Sequence, residues 1–307
     1  MLISVVIVTF DSAECLARCL DSLSGARAEI IVVDNASADD SAEMARERGA
    51  RVIANSRNLG FAAACNQGAR AAAGEYLLFL NPDTVLLEGL PEMIGALDRD
   101  PTAGAAGGLL VDPSGNPQRG FTLRRLPTFA ALAFEVLLVN RLWPGNPVNR
   151  RYRCLDARLD IAQEAEQPPG ACLLVRRQAL EKAGHWDEAF YPLWFEDVDL
   201  CARLRASGFR LLFVPACRWE HIGAHSLSRI SIAERHVFWY RNLLRFVGKH
   251  MGRRAALAMK LLVCFGAIAR WTAGGLGRGG QFTWRACWGV LKAAIAEAPP
   301  PQPPCTT

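Results

Sequence analysis

The feature that most constrains this chain is the alternation of short apolar runs with helical patterns along its first hundred residues. Four apolar runs predict strands: Leu2–Thr9, Glu29–Val33, Arg51–Ala54 and Tyr76–Leu80. Helical spacing separates them, with apolar residues recurring from Cys15 to Leu23 and predicted helices at Ser37–Gly49 and Gly60–Ala73. Near-continuous apolar strands that alternate with helices indicate an α/β fold whose mostly parallel central sheet is covered on both faces.

The alternation returns after a looser middle region. Prolines punctuate residues 112–169, and we interpret this segment as connecting and acceptor-side structure. Beyond it the pattern predicts strands at Ala171–Arg176 and Phe209–Val214 and helices at Gln178–Gly184 and Glu196–Ser207. The chain past Ser231 is helical and basic.

The charge divides the chain into two parts. Residues 232–307 hold 11 Lys and Arg against 2 acids, whereas residues 1–231 hold 24 basic and 28 acidic residues. We therefore expect one α/β domain over 1–231, a basic helical extension over 232–298 and a disordered tail over 299–307.

A hydrophobic content of 51% excludes a disordered chain as a whole. Without a basic segment before the first apolar run, and with ten Cys lacking CxxC spacing, we expect a cytoplasmic protein with reduced thiols.

Polar residues follow the predicted strands at their carboxyl ends, where ligands bind in open parallel sheets. Thr9 ends the first strand, Asp34 and Asn35 follow the second, and Asn81-Pro82-Asp83 follows the fourth. Turn and cap formation accounts for the same residue types. These residues alone leave a ligand site and a set of ordinary turns as alternatives.

Two further groups carry chemistry. Glu196, Asp197 and Asp199 suit either a general base or a charged first helical turn at the positive end of the helix dipole. His221 and His225 stand four positions apart, but further ligands at zinc spacing do not accompany them, so we do not expect a zinc site.

Six segments, in order, resemble glycosyltransferase family 2, whose members are inverting enzymes with the GT-A nucleotide-sugar-binding fold, and most closely its rhamnosyltransferase branch. They are SVVIVTF at 4–10, VVDNAS at 32–37, NLGFAAACNQG at 58–68, LFLNPD at 78–83, the block from GACLLVRR at 170 through WDEAFYPLWFEDVDLCARLRASG at 208, and EHIGAHS at 220–226. The resemblance covers about residues 1–230. It implies a nucleotide-binding half over about 1–111, an acceptor-side half over about 112–231 and a C-terminal helical extension.

The resemblance also implies roles for the strand-end residues. The family's Asp-x-Asp metal motif falls on Asn81-Pro82-Asp83, so Asp83 is expected to bind Mg²⁺ or Mn²⁺, while the neutral Asn81 weakens that site. His221 matches a position that completes the metal site or meets the diphosphate. Contacts to the nucleotide sugar are expected from the two members of the metal motif and from Thr9, Asp34, Asn35, Asn58 and Gly60. For Gly60, a glycine that simply opens the next helix is the alternative.

On the acceptor side, Asp197 matches the family's general base and Glu196 its usual neighbour. Trp194 is expected either to stack on the acceptor sugar or to pack in the core. The implied reaction moves a hexose or deoxyhexose from a dTDP- or UDP-linked donor to a hydroxyl of a glycan or lipid-linked glycan. A non-catalytic sugar-nucleotide-binding or scaffold protein is the alternative. A processive synthase is disfavoured because Gln-x-x-Arg-Trp is missing at Arg218-Trp219, and a nucleotidyltransferase because Phe10–Arg18 contains no Gly.

The basic tail predicts a membrane surface as a partner. The apolar run Leu261–Ile268, between Lys260 and Arg270, is too short to span a bilayer, which needs about 20 residues. Trp and Arg interleave in this tail, as is typical of helices that lie in an anionic membrane interface. Helices that pack on a domain or partner are the alternative. We expect no nucleic acid partner, since no nucleic-acid-binding motif accompanies the charge.

Overall fold

The computed structural model describes residues 3–223, 230–275 and 283–295. Its strands are β1 (Ile3–Thr9), β2 (Ala28–Asp34), β3 (Arg51–Ala54), β4 (Tyr76–Leu80), β5 (Thr84–Glu88), β6 (Ala103–Val111), β7 (Gln163–Ala165), β8 (Cys172–Arg176) and β9 (Arg210–His221). Its helices are α1 (Ala13–Ser22), α2 (Ser41–Glu47), α3 (Phe61–Ala71), α4 (Leu90–Arg99), α5 (Phe129–Val136), α6 (Val139–Leu142), α7 (Pro147–Tyr152), α8 (Arg177–Ala183), α9 (Glu196–Ala206), α10 (Ile232–Gly275) and α11 (Trp284–Ile295).

The strands form one nine-stranded sheet in the order β3-β2-β1-β4-β8-β6-β9-β5, with β7 also paired to β9. β1 pairs in parallel with β2 and β4, β2 with β3, and β6 with β9. β8 runs antiparallel between β4 and β6, and β5 and β7 run antiparallel to β9. Strands β1–β4, β6 and β9 therefore share one direction, and the predicted mostly parallel sheet is present with three reversed strands.

Alternate residues of the central strands face two separate cores. Val5 and Ile7 of β1 pack in the cluster that contains the buried residues of α1 and α4. Val6 and Val8 pack in the cluster that contains buried residues of α3, α8 and α9. Because successive strand residues point to opposite faces, a continuous apolar strand needs helices on both sides. The sheet is thus covered on both faces, as its sequence predicted.

The cysteines support this core. All nine cysteines of the described residues are free thiols. Cys15 and Cys19 lie on the buried face of α1, and burial raises the pKa of each thiol to about 12. They therefore act as small core side chains.

The chain divides into two compact units. The first comprises Met1–Leu126, Arg153–Asp187 and Glu196–Ser226 and contains the whole sheet with α1–α4, α8 and α9. The second comprises Pro127–Tyr152, Glu188–Phe195 and Leu227–Thr307 and contains α5–α7, α10 and α11. The proline-rich middle segment thus supplies three short helices to the second unit, which the sequence pattern did not reveal.

Helix α2 begins at Ser41, four residues after the predicted start at Ser37. The residues between serve the preceding loop instead. Asp39 accepts a hydrogen bond from the Ala13 amide at the start of α1, and Ser41 Oγ accepts one from the Ser12 amide. Asp39 therefore lies before α2, where its other carboxylate oxygen accepts from the Ser41 amide at 3.1 Å.

Strand β9 continues to His221 instead of ending at Val214. Its second half pairs with β6 after an irregularity at Gly108–Leu109 and with β5 on its other side. Two partners hold this half in place, so Glu220 and His221 end a strand and do not sit in a free loop.

The C-terminal helices are long. Helix α10 is interrupted at Gly252, whose positive φ of 85° breaks the helical geometry. Residues 232–272 of this helix are the one described stretch with the length and apolar composition of a membrane-spanning helix. The stretch is longer than the run Leu261–Ile268 on which the sequence argument rested. Residues 296–307, which include the predicted disordered tail, lie outside the described residues.

Candidate functional site

The carboxyl ends of the parallel strands define one edge of the sheet. The residues that end these strands are Thr9, Asp34, Ala54, Leu80, Val111 and His221. The reversed strands β5 and β8 begin at the same edge, because Thr84 pairs with His221 and Cys172 with Leu80. All of these residues belong to the first unit. Loops that leave this edge therefore bring together residues that are far apart in sequence.

Thr9 and Asp34 lie side by side at the ends of β1 and β2. Both are buried, and the Thr9 hydroxyl has no hydrogen-bond partner among the described residues. The Asp34 carboxylate accepts hydrogen bonds from the Ser37 amide at 3.2 Å and from the Ser37 hydroxyl. Asp34 thus forms the local turn that its sequence favoured, while it also stands at the ligand-binding edge.

Asn35, Asn58 and Gly60 form a hydrogen-bonded group beside this pair. The buried Asn35 side chain donates from Nδ2 to the Gly60 backbone carbonyl at 3.2 Å, and Asn58 Oδ1 accepts from the Gly60 backbone amide at 2.9 Å. Gly60 has a positive φ of 88°, which suits glycine, and it directly precedes α3. In the described structure the first turn of α3 has no side-chain cap. Both alternatives for Gly60, contact with a phosphate and simple opening of the helix, therefore stay predictions.

Asn81 and Asp83 lie in the tight turn between β4 and β5. The Asn81 carbonyl accepts hydrogen bonds from both the amide and the hydroxyl of Thr84, while the Asn81 amide donates to the Ala171 carbonyl at 3.0 Å. The Asp83 carbonyl accepts from the Ile222 amide at 3.2 Å. The turn is therefore fixed to the start of β8 on one side and to the end of β9 on the other.

Asp83 faces His221 within this turn. Both side chains are buried, and His221 Nε2 lies 3.7 Å from Asp83 Oδ1. Burial lowers the pKa of His221, and the Asp83 carboxylate opposes that change. We therefore expect a neutral imidazole at neutral pH. Asp83 and His221 then do not form an ion pair.

Two residues that the sequence did not point to hold His221. Gln118 Nε2 donates to the His221 carbonyl at 2.7 Å, and Gln118 Oε1 lies 3.0 Å from His221 Nδ1. Phe121 stacks on the imidazole with ring centroids 5.3 Å apart and planes 2° apart. These residues fix both the position and the plane of the ring.

The pair Asp83 and His221 offers suitable donors for a divalent cation. A carboxylate oxygen suits Mg²⁺ and Mn²⁺, and a neutral imidazole nitrogen is a common metal ligand in proteins. The described residues contain no cluster of three or more His, Cys, Asp or Glu that could hold a metal. The protein would thus supply two strong ligands, with Asn81 adding only an amide oxygen. His225, the second histidine of the discounted zinc pattern, lies outside the described residues.

Asp197 is attached to the same edge through Gly170. Asp197 Oδ2 accepts a hydrogen bond from the Gly170 amide at 3.1 Å, and its Oδ1 accepts from the Val198 amide at 2.8 Å. A Cβ at position 170 would lie 2.9 Å from the Asp197 Cβ, so only glycine fits there. Because Ala171 bonds to Asn81, backbone contacts connect the Asp83 turn with Gly170 and Asp197, and the predicted meeting of the two carboxylates in one cleft stays a prediction.

Glu196 is buried next to Asp197. Its Oε2 has no hydrogen-bond partner among the described residues. Burial, followed by the charge of Asp197, raises the pKa of Glu196 well above its ordinary value. Burial thus favours the protonated form of Glu196, beside an Asp197 that is only partly buried. Asp199, the third acid of the group, forms an ion pair with Arg203 at 2.7 Å and serves the helix.

Trp194 belongs to the second unit and not to the first. It and Phe195 both have positive φ values, 76° and 72°. Phe195 packs on Trp239 and Phe246 of α10 within that unit. The expected stacking of Trp194 on an acceptor sugar stays a prediction.

Comparison with known proteins gives consistent results. A family model described as "Glycosyl transferase family 2" matches residues 4–184. N-acetylglucosaminyl-diphospho-decaprenol L-rhamnosyltransferase of Mycobacterium tuberculosis is 32% identical over 277 residues, which cover 79% of this chain and 87% of the relative.

Solved structures share the fold. GalNAc-T7 with UDP, GalNAc and Mn²⁺ superposes with a TM-score of 0.57 at 18% identity, covering 80% of this chain and 47% of the other, so that this chain matches about half its length. The mannosyltransferase PcManGT from Pyrobaculum calidifontis in complex with GDP-Man and Mn²⁺ superposes with a TM-score of 0.53 at 16% identity, covering 95% of this chain and 85% of the other. At these identities the structures support the fold alone.

Proposed function

This chain belongs to glycosyl transferase family 2, and we propose that it is an inverting enzyme that transfers a hexose or deoxyhexose, with rhamnose favoured, from a nucleoside diphosphate sugar to a hydroxyl group. That it is a glycosyltransferase rests on the family match and the named relatives. The donor, the acceptor, the metal and the mechanism are our proposals.

One structural observation carries the mechanism. The backbone hydrogen bond between Asn81 and Ala171, followed by that between Gly170 and Asp197, ties the Asp83 turn to the Asp197 carboxylate. A single-displacement transfer needs a proton acceptor on one side of the anomeric carbon and stabilisation of the leaving diphosphate on the other. We propose that Asp197 is that proton acceptor and that the Asp83 turn belongs to the site of the diphosphate.

In the proposed reaction the acceptor hydroxyl oxygen attacks the anomeric carbon. Its proton moves to Asp197, and the bond from that carbon to the diphosphate oxygen breaks with inversion. The leaving nucleoside diphosphate takes the electron pair. The two amides that donate to Asp197 orient the carboxylate. The raised pKa of the buried Glu196 favours its uncharged form beside the base.

Asp83 and His221 would hold a divalent cation, with Mn²⁺ or Mg²⁺ as the expected ions. When bound, that cation supplies positive charge to the leaving diphosphate. Thr9, Asp34 and Asn35 would line the nucleotide, and the unpartnered Thr9 hydroxyl has hydrogen-bonding capacity to spare for it. The solved relatives of this fold include complexes with UDP, GDP-Man and Mn²⁺, which supports a nucleotide sugar as the donor.

The M. tuberculosis relative supports the finer assignment. Its name describes L-rhamnose transfer to N-acetylglucosaminyl-diphospho-decaprenol. We infer a dTDP- or UDP-linked donor and a glycan or lipid-linked glycan acceptor for this chain. A lipid-linked acceptor would place the enzyme at the cytoplasmic face of the membrane.

Asp197→Asn tests the assignment of the base. We expect the transfer rate to fall by about 10²–10⁴, because the amide cannot take the acceptor proton, while the affinity for nucleotide changes little. Glu181→Gln, a change of an exposed carboxylate on α8, is the matched control. Transfer by purified protein from dTDP-rhamnose and UDP-sugars to a lipid-linked acceptor gives the rate. Full activity in Asp197→Asn would contradict the mechanism, and no turnover or donor hydrolysis by the parent with any donor would favour a scaffold protein.

A further inference from the structure

The second unit exposes an apolar surface along its two C-terminal helices. Six large side chains, each 47–66% exposed, define what we call the tail surface: Leu257, Leu261, Phe265 and Ile268 of α10 and Trp284 and Trp288 of α11. Those of α10 recur at intervals of four, four and three residues, which places them on one face of the helix. An uncharged apolar face of this extent on a protein surface marks an interaction site.

The opposite face of α10 packs against other residues of its own unit. Met259, Val263 and Ala267 are buried, and a Cβ on Gly266 would lie 2.7 Å from the carbonyl oxygen of Val136 in α5. The helix therefore packs against its own unit with one face and presents its apolar face outward. A core helix would bury both faces, so α10 needs another cover.

The surrounding charge identifies that cover. Residues 230–275 and 283–295 carry ten Lys and Arg but a single acid, Glu234. A second copy of the chain would bring the same positive charge against this surface, whereas anionic lipid headgroups are complementary to it. The Trp residues on α11 and the cation–π contact of Lys292 with Trp288, at 5.4 Å, suit the headgroup region.

The positions of Lys260 and Arg270 also indicate how α10 would lie relative to a membrane. Lys260 and Arg270 bracket residues 261–269, a stretch of about 14 Å at 1.5 Å per residue. The hydrocarbon core is about 30 Å thick, so a spanning helix would bury one or both charges. A helix in the plane of the membrane keeps Lys260 at headgroup depth and leaves Arg270 in its contacts with the Glu135 carbonyl and the Tyr240 ring.

We propose that the tail surface lies in the interface of an anionic lipid bilayer, with α10 beyond Gly252 and α11 parallel to the membrane plane. This proposal does not depend on the transfer reaction, and it can be tested without donor or acceptor.

Co-sedimentation of the full chain with vesicles tests the surface. We expect binding to vesicles of phosphatidylglycerol and phosphatidylcholine at low salt, and weaker binding to phosphatidylcholine alone. Leu261→Gln with Phe265→Gln should reduce the partition coefficient by about tenfold or more, because two apolar side chains lose their burial in the bilayer. Leu87→Gln on β5, which changes an apolar side chain that is 49% exposed, is the matched control and should bind as the parent does.

Four outcomes would overturn the proposal. The first three are no binding by the parent at low salt, equal binding by the double variant, and dimers that the parent forms without lipid and the double variant does not. Resistance of the bound parent to alkaline carbonate extraction would indicate a spanning helix and would also overturn it. Circular dichroism of the variant confirms that it is folded.

A second, independent observation concerns Gln118. Its Nε2 donates to the His221 carbonyl, so its Oε1 is the atom left to face His221 Nδ1. A carbonyl oxygen only accepts, and therefore Nδ1 must carry the imidazole proton. The unprotonated Nε2 then points its lone pair toward Asp83 Oδ1 at 3.7 Å, with no proton between them.

We infer that Gln118 is a positioning residue that holds His221 in the tautomer able to bind a cation together with Asp83. Its backbone is fixed by hydrogen bonds of its amide to Leu110 and of its carbonyl to the Phe121 and Thr122 amides. Residues that orient a metal-binding histidine in this way change metal affinity by about 10–100-fold when they are replaced. The inference rests on the proposed metal role, although the tautomer itself can be measured without metal.

The tautomer is visible in the ¹⁵N spectrum of the metal-free protein at a pH where His221 is neutral, with His221→Asn to assign the signal. We expect an Nδ1–H imidazole in the parent and in Gln118→Glu, which keeps the acceptor, and a mixture of tautomers in Gln118→Leu. Calorimetry should show weaker Mn²⁺-dependent binding of UDP or dTDP to Gln118→Leu than to Gln118→Glu. An Nε2–H imidazole in the parent, or an unchanged tautomer in Gln118→Leu, would overturn the role of Gln118. The expected tautomers without any metal-dependent binding would instead contradict the metal proposal.

Discussion

The two ends of the ligand-binding edge are built differently. Around β1 and β2, the side chains of Asp34, Asn35 and Asn58 all have partners in the neighbouring loops. Around β8, β9 and α9, Glu196 Oε2 lacks a partner among the described residues, and Asp83 and His221 face each other beyond hydrogen-bond distance. Apart from the unpartnered Thr9 hydroxyl, the polar side chains of the first end are paired by folding, whereas at the second end Glu196 Oε2 and the Asp83 carboxylate have no hydrogen-bond partner among the described residues. We therefore expect substitutions at the first end to reduce stability as well as nucleotide binding, and those at the second end to reduce mainly function.

The largest effect after loss of the general base is expected from Asp83→Asn. Replacing the carboxylate with an amide removes the anionic ligand but keeps a similar shape, so Mn²⁺-dependent nucleotide affinity should fall by at least about tenfold. The melting temperature should change little, because no shown hydrogen bond of the side chain is lost. Calorimetry with and without Mn²⁺ measures the affinity. Equal affinity of the parent in both conditions would remove the metal role.

At the other end, Asp34→Ala should lower the stability of the fold, which Asp83→Asn should not. It leaves the amide and hydroxyl of Ser37 without their acceptor, and we expect a loss of about 1–3 kcal/mol in the free energy of unfolding. Asp40→Ala is the matched control, since Asp40 is exposed in the same loop and makes no side-chain cap hydrogen bond. Urea denaturation measures both. A similar stability of the two variants would break the contrast between the ends.

The smallest effect, and the sharpest test of the contrast, is expected from Glu196→Gln. Its pKa is raised in the folded state above the ordinary 4.5, so the folded protein keeps a proton that the unfolded chain releases. The free energy of unfolding of the parent therefore falls as pH rises from about 4.5 toward the folded-state pKa. Glutamine does not ionise, so the free energy of unfolding of Glu196→Gln does not fall with pH for this reason.

We expect Glu196→Gln to melt close to the parent at pH 4.5 and about 2–4 °C above it at pH 8, the shift that about 1 kcal/mol produces in a domain of this size. Differential scanning calorimetry over that pH range measures the difference. A difference that stays constant with pH would show that Glu196 is not buried as a neutral acid.

The sequence predicted the parts of the fold that depend on local pattern. The ends of β1, β2, β3 and β4 agree with the prediction to within one residue over the described range, because apolar runs and turn residues are local signals. The same signals placed Asp34 and Asp83 at strand ends. The start of α2 was predicted too early, since Asp39 lies before the helix, where one carboxylate oxygen accepts from the Ala13 amide of α1 and the other from the Ser41 amide that begins α2.

The remaining parts depend on contacts between distant positions. Gln118 lies 103 positions from His221, in a stretch without a regular period, and only the pairing of β6 with β9 brings the two together. The membership of Trp194 in the second unit likewise depends on its neighbour Phe195 packing with α10, which no spacing along the chain indicates. Periodicity predicts elements, but it does not predict which loops meet.

The antiparallel pairing of β4 with β8 has a consequence for how this enzyme can change. Cys172 and Leu174 enter one core, and Leu173 enters the other, so the match of Leu80 with Cys172 is set by apolar packing on both sides of the sheet. A slip of one residue would send each side chain into the wrong core and shift Gly170 by about 3.4 Å along the strand. The separation along the chain path between the Asp83 turn and Asp197, the proposed metal-binding and base positions, therefore depends on this apolar packing. Variants designed for larger acceptors should therefore change the loops and keep the register between β4 and β8.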